Sequence, residues 1–315
     1  MRSLNMLSRV SVIAFNTYRE AVRARVLHGL FALALATAGY SLVVGAFALN
    51  SSLRVVSDLG AASISIYGIV VAVVLGATSL YRELELKTIF PILARPIRRS
   101  EYLVGKYLGT VLTLAIFIAA DSGALLLALG VEGGRPLLSA LALASGITAL
   151  AGGAAFRWPR WRTFLPAPWA LGLLLTGAAF AAAAPDDRRV VLGSALLTLS
   201  EVAVVAAIAT VFAAFSSPFL TAVFTFGVFI VGRSADTLEK MPERVFGAPL
   251  ARFCAGVSKV VPNLMLYVPP RPLLTGESSG MSLGSYLGLA LLHALVWSVL
   301  LLTGASLLFR RRDFL

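Results

Sequence analysis

The sequence predicts an all-α polytopic membrane protein. Six core transmembrane helices and an extra helical hairpin give eight spans, with an amphipathic interfacial helix at the N-terminus and both termini cytoplasmic. Three observations carry that expectation. Hydrophobic residues make up 58% of the 315 and charged residues only 13%, where soluble domains are roughly half apolar and about a quarter charged. Apolar runs of about twenty residues recur along the chain, the length a helix needs to cross hydrocarbon that offers a bare backbone no partner. The net charge of +12 lies in short clusters between those runs, a positive-inside pattern rather than a basic stripe for nucleic acid.

Residues 1–28 come first. Arg2, Arg9, Arg19, Arg23 and Arg25 interleave with Leu4, Leu7, Val10, Ile13, Val22 and Val26, as in a basic helix lying on the membrane surface. The stretch lacks the compact apolar core and small-residue cleavage site of a secretory signal. Uncharged runs follow at 29–49, 59–81, 137–156, 163–184 and 283–309. Two further runs each carry one acid, 107–131 with Asp121 and 190–215 with Glu201, and a shorter one, 217–232, opens on Ser217-Pro218. With the N-terminus inside, the inner segments hold seventeen Lys and Arg and the short outer loops only Arg54, Arg135, Arg188 and Arg189, which sets the orientation.

The hairpin at 137–184 is rich in Gly and Ala and turns through "RWPRWR", residues 157–162, a mixture suited to a headgroup boundary. It either crosses twice or only dips into the membrane, and both cases keep the termini on one side. Residues 233–282 form a long outer loop with one or two amphipathic helices and a proline-rich turn.

No catalytic or metal site is expected. The chain has no G-x-x-x-x-G-K-[ST], G-x-S-x-G, H-E-x-x-H or C-x-x-C, so it cannot bind ATP through a P-loop. Cys254 is the one cysteine, and His28 and His293 are far apart, which leaves no disulfide and no metal cluster. The pairs Glu83/Glu85 and Asp186/Asp187 stand beside arginines and read as salt-bridged surface charge. Asp121 and Glu201 are costly at mid-membrane and face protein or water. With no Lys or Arg inside the spans to join them, interhelical bonding is expected over a proton relay. His293 reads as a helix contact. Gly105-x-x-x-Gly109 and Gly284-x-x-x-Gly288 match close-packing spacing but signal little by themselves.

The segment between the second and third runs is different in kind. Leu84, Leu86, Ile89, Ile92 and Leu93 give a short helix one apolar side, and Pro96 ends or kinks it. Ser100 is placed to cap the next helix, with Glu101 at the positive end of its dipole. A helix, a Pro-hinged basic turn and a second helix make a knob suited to a partner's groove. A basic loop touching anionic lipid is the plainer alternative.

The run "ELELKTIFPILARPIRRSEYLVGKYLG" resembles the cytoplasmic segment of ABC-2 type transporter permeases. Glu83, Glu85, Lys87, Thr88, Arg95, Pro96, Arg99, Gly105, Lys106 and Gly109 match that pattern. The likeness extends to the basic N-terminal helix, "SSPFLTAVFTF", Val261-Pro262-Asn263 and the closing "FRRRDFL", but not to 137–184, since the family core has six spans. The resemblance implies a permease subunit of an exporter in the cytoplasmic (inner) membrane of a prokaryote. It implies pairing with a second permease chain, as a homodimer, and two copies of a separate ATPase subunit that supply ATP and Mg, with no cofactor in this chain. The segment 82–106 then docks the ATPase through Glu83, Glu85, Lys87, Thr88, Ile89, Ile92, Leu93, Arg95, Pro96, Arg98 and Arg99. Two other classes stand beside it: a proton- or ion-coupled secondary transporter using Asp121 and Glu201, and a membrane scaffold without transport. The apolar spans name no cargo.

Overall fold

The computed structural model describes residues 6–48, 51–85, 98–242, 247–277 and 280–310. Every regular element among them is helical. The order is α1 (Met6–Val22), α2 (Arg25–Ala46), α3 (Ser52–Glu85), α4 (Arg99–Glu132), α5 (Leu137–Arg157), α6 (Pro166–Phe180), α7 (Pro185–Ala213) and α8 (Pro218–Arg233). Short helices α9 (Ala235–Glu239), α10 (Ala248–Val260) and α11 (Arg271–Thr275) precede the long α12 (Leu283–Arg310). Prolines open α6, α7 and α8, where a missing N–H costs nothing. Asp186 and Asp187 occupy the first turn of α7, where negative charge meets the positive end of the helix dipole.

Among the described residues seven helices, α2 to α7 and α12, are long and apolar enough to cross a membrane, as in a multi-pass membrane protein. The eighth expected span is shorter than that. Helix α8 has 16 residues, about 24 Å at 1.5 Å per residue, against a hydrocarbon layer of about 30 Å. In contrast, α3 and α4 have 34 residues each, about 51 Å, so both run on past the lipid core.

Helices α3, α4 and α7 form the centre. Leu114, Leu125, Leu129, Val202, Val204 and Val205 are buried among them in one apolar cluster with Val71 and Ala72. The hairpin is attached through α6. A Cβ on Gly177 would stand 2.5 Å from the Gly123 carbonyl oxygen of α4, and one on Gly123 would stand 2.6 Å from the Leu173 carbonyl carbon. Only glycine lets these two backbones approach so closely, the usual route to helix association where lipid gives apolar contact no advantage. Helix α5 is peripheral by comparison, burying only Ala140, and is tied to α6 by Trp169 Nε1 donating to Thr148 Oγ1 at 3.2 Å.

Gly177→Val should therefore destabilise the protein by about 1–3 kcal/mol through overpacking. Gly153→Val in α5, where an added Cβ meets nothing within 4 Å, should leave the midpoint unchanged. Thermal unfolding of both variants in one detergent checks the contrast.

Candidate functional site

Two polar assemblies stand at different depths of the bundle. The first gathers around the start of α4. The Glu101 carboxylate accepts from the Arg98 backbone N–H at 3.3 Å and lies 3.6 Å from the Arg9 guanidinium of α1. Glu101 thus caps the helix from within. Ser100, expected as the cap, lies inside the first turn and makes no capping bond; the helix starts two residues earlier than the serine requires. Lys106 is buried, with Nζ 3.7 Å from Glu20 of α1 and donating to the Ser79 carbonyl of α3 at 3.2 Å. Arg99 donates to the Phe309 carbonyl near the end of α12 at 3.1 Å, and the Phe309 ring stacks on Tyr102 at 6.5 Å. Ala213 and Ala214, at the end of α7, complete the apolar side of this cluster.

Gly105 and Gly109 let α1 lie lengthwise on α4. A Cβ on Gly105 would be 2.7 Å from Ile13, and one on Gly109 would be 2.3 Å from the Ala14 carbonyl oxygen. The matching pair Gly284 and Gly288 meets nothing within 4 Å, so one spacing is a contact and the other is not. Tyr18, also on α1, is buried with no hydrogen-bond partner for its hydroxyl among the described residues, and burial pushes its phenol up to about 12. Of the expected docking residues, Arg98 and Arg99 are described. Glu83 and Glu85 fall on the last turn of α3. Lys87, Thr88, Ile89, Ile92, Leu93, Arg95 and Pro96 lie outside the described residues.

The second assembly lies within the bundle. Arg233, the last residue of α8, donates to Glu201 of α7 at 2.6 Å through Nε and at 2.8 Å through Nη2, and Nη2 also donates to Ser65 of α3 at 3.0 Å. Glu201 is 1% exposed and Arg233 25%. The expectation that Glu201 has no cation inside the spans is therefore corrected: Arg233, assigned to the outer loop, is its partner. The sequence hides this because α8 stops half-way along α7, so a residue just beyond the apolar run sits at the depth of Glu201.

The chain after α8 fills the remaining depth. Leu264 and Tyr267, in a 3₁₀ turn, are buried, and the Pro262 carbonyl stands where a Cβ on Gly232 would be 2.8 Å away. Tyr267 shares a hydrogen bond with His293 of α12 at 2.9 Å, so His293 ties α12 to this turn. Above it Arg271 binds Asp58 of α3 and Asp187 of α7 and donates to Ser57 at 3.1 Å. Between the two arginines is a cavity of about 450 Å³, with Ser65, Ser194, Thr198 and Tyr267 in its wall. Irregular backbone at this depth is stable only because it is buried or lines such a cavity.

Asp121 makes no hydrogen bond to either assembly among the described residues. It is fully buried, and neither of its carboxylate oxygens, nor the Ser122 hydroxyl, has a hydrogen-bond partner among the described residues. Among the described residues no hydrogen bond joins the two intramembrane acids. Among the described residues no group of three His, Cys, Asp or Glu side chains could hold a metal. In comparisons with known proteins, no family model and no curated protein matches the chain.

Removing one partner of a buried ion pair strands the other charge, at a cost of about 3–5 kcal/mol. Arg233→Met and Glu201→Met should each lower the unfolding midpoint sharply. The double variant should recover most of the loss, because two apolar side chains of similar length leave no charge behind. A double variant no better than the singles would overturn the assignment.

Proposed function

We propose that the chain is the permease subunit of an ATP-binding cassette exporter, driven by a separate ATPase docked on the segment between α3 and α4. The observation that carries this reading is where that segment is anchored. Its exit, Arg98 to Lys106, is bonded at once to α1 through Arg9 and Glu20, to α3 through the Ser79 carbonyl, and to α12 through Phe309. A displacement at 86–97 would move several helix ends together, which is what transmission from an external motor to a membrane bundle needs. The absence of a P-loop from the sequence fits a division of labour in which ATP and Mg belong to the partner. The motif resemblance supplies the family, a homodimeric arrangement, and a prokaryotic inner membrane with the segment on its cytoplasmic side. The cargo is not specified by these residues.

A secondary transporter using Asp121 and Glu201 is less well supported, since Glu201 is held by two bonds to Arg233 and Asp121 has no hydrogen-bond partner among the described residues. A scaffold without transport would not need the convergence of helix ends on one segment.

The experiment is co-expression with the cognate ATPase. Arg95→Glu/Arg98→Glu should weaken co-purification by roughly tenfold or more and abolish permease-stimulated hydrolysis, while the elution profile of the permease alone is unchanged. Full association and stimulation in that variant would refute the docking assignment. Asp121→Asn should leave ATP-driven transport intact; complete loss of transport with normal assembly would favour the relay.

A further inference from the structure

We propose that the groove between α2, α4, α5 and α6 binds an anionic phospholipid, its acyl chain in the groove and its phosphate at an arginine rim. This inference is independent of the transport reading. The groove encloses about 460 Å³, within the roughly 300–1,000 Å³ of small-molecule sites. Its floor is aromatic: Phe31 meets Phe117 and Trp169 edge-on, each at 5.8 Å. Thr148 in its wall has no free donor, since its hydroxyl donates to the Ala144 carbonyl at 2.8 Å and accepts from Trp169. What remains for a ligand is an apolar channel.

One end of that channel is cationic. Arg162 lines it, and its Nε donates to the Ala155 carbonyl at 2.9 Å, which holds the guanidinium at the mouth. His28 lines the facing wall. Arg157 and Arg160 lie in the same turn as Arg162, and Arg23 and Arg25 flank the α1–α2 break; all are exposed. None of these five arginines has a carboxylate partner among the described residues, and residues 133–185 contain no Asp or Glu. Trp158 and Trp161, exposed in the turn, are the aromatics expected at a headgroup layer. Charge at one end only, with a continuous apolar floor beyond it, complements a molecule with an anionic head and apolar tail. A charge-bearing helix would need polar contacts along the groove's length.

The test uses the full chain in nanodiscs of phosphatidylcholine, with or without phosphatidylglycerol of the same acyl chains. The readouts are lipid retained in native mass spectra and the difference in Tm between the two lipid mixtures. Wild type should retain phosphatidylglycerol selectively and melt higher in its presence. Arg157→Gln/Arg160→Gln/Arg162→Gln should lose that preference by about fivefold per arginine. Gly152→Leu fills the groove where an added Cβ meets nothing within 4 Å, leaves the rim intact, and should also abolish selective retention. Because the readout is a difference between lipids, general destabilisation from losing the Arg162 bond cancels. Unchanged selectivity in either variant would overturn the proposal: in the first, the rim does not bind the head group; in the second, the attraction is peripheral and the groove is not the site.

Discussion

A charge placed in the middle of a membrane bundle must be neutralised where it stands, and the bridge between Arg233 and Glu201 does this. Much of the surrounding architecture follows from it. Glu201 is fixed by its position in a continuous 29-residue helix, so its partner must come to that depth. The partner comes as the final residue of a short helix, where its positive charge also meets the negative end of the dipole. Helix α8 therefore stops there, and the volume above it must be closed by other chain. The 3₁₀ turn at Leu264–Tyr267 does so, at the cost of bringing non-helical backbone and a polar cavity into the bundle. The Arg271 clamp on Asp58 and Asp187 then ties the cap to the starts of α3 and α7.

The opposite end is built on another principle. There the ends of α3, α7 and α12, the start of α4 and the whole of α1 meet around Glu101, Lys106 and Phe309. Lys106 and Glu101 are buried and pair with α1, and Lys106 and Arg99 also bond carbonyls of α3 and α12, so a shift of any one of these helices disturbs bonds that hold another. Such shared bonding makes discrete arrangements more stable than intermediate ones. The functional proposal needs that property: an input at 86–97 becomes a concerted shift of helix ends. The lipid groove sits at this same end, beside the α1–α2 break.

The long helices were legible in the sequence because an apolar run of twenty residues admits few other readings. Where α8 ends was not, since Arg233 stands next to the run and looks like the first loop residue. Its pairing spans 32 positions, and no local pattern announces such a contact. Gly105-x-x-x-Gly109 and Gly284-x-x-x-Gly288 looked equivalent, yet only the first has a helix against it; spacing describes a surface, not its occupant. Glu101 was rightly placed at the helix start, but the capping role went to Ser100. Asp121 and Glu201 could not be told apart by residue type. Among the described residues one is paired and the other has no partner, because of what the neighbouring helices present.

The lengthwise packing of α1 on α4 has a consequence for biosynthesis. Helix α1 leaves the ribosome well before its partner, which emerges only after α2 and α3 have been made. At roughly 5–20 residues per second, α1 must wait on the order of ten seconds with its apolar face uncovered. Its arginines suit it to spend that interval at the lipid headgroups, where such a helix is stable by itself. The arrival of Gly105 and Gly109 then gives it a permanent seat, and Glu101 and Lys106 exchange lipid phosphate and water around Arg9 and Glu20 for protein charge. Helix α1 is thus made before its seat and docked late, and membrane composition would act on the protein's assembly before the bundle is complete.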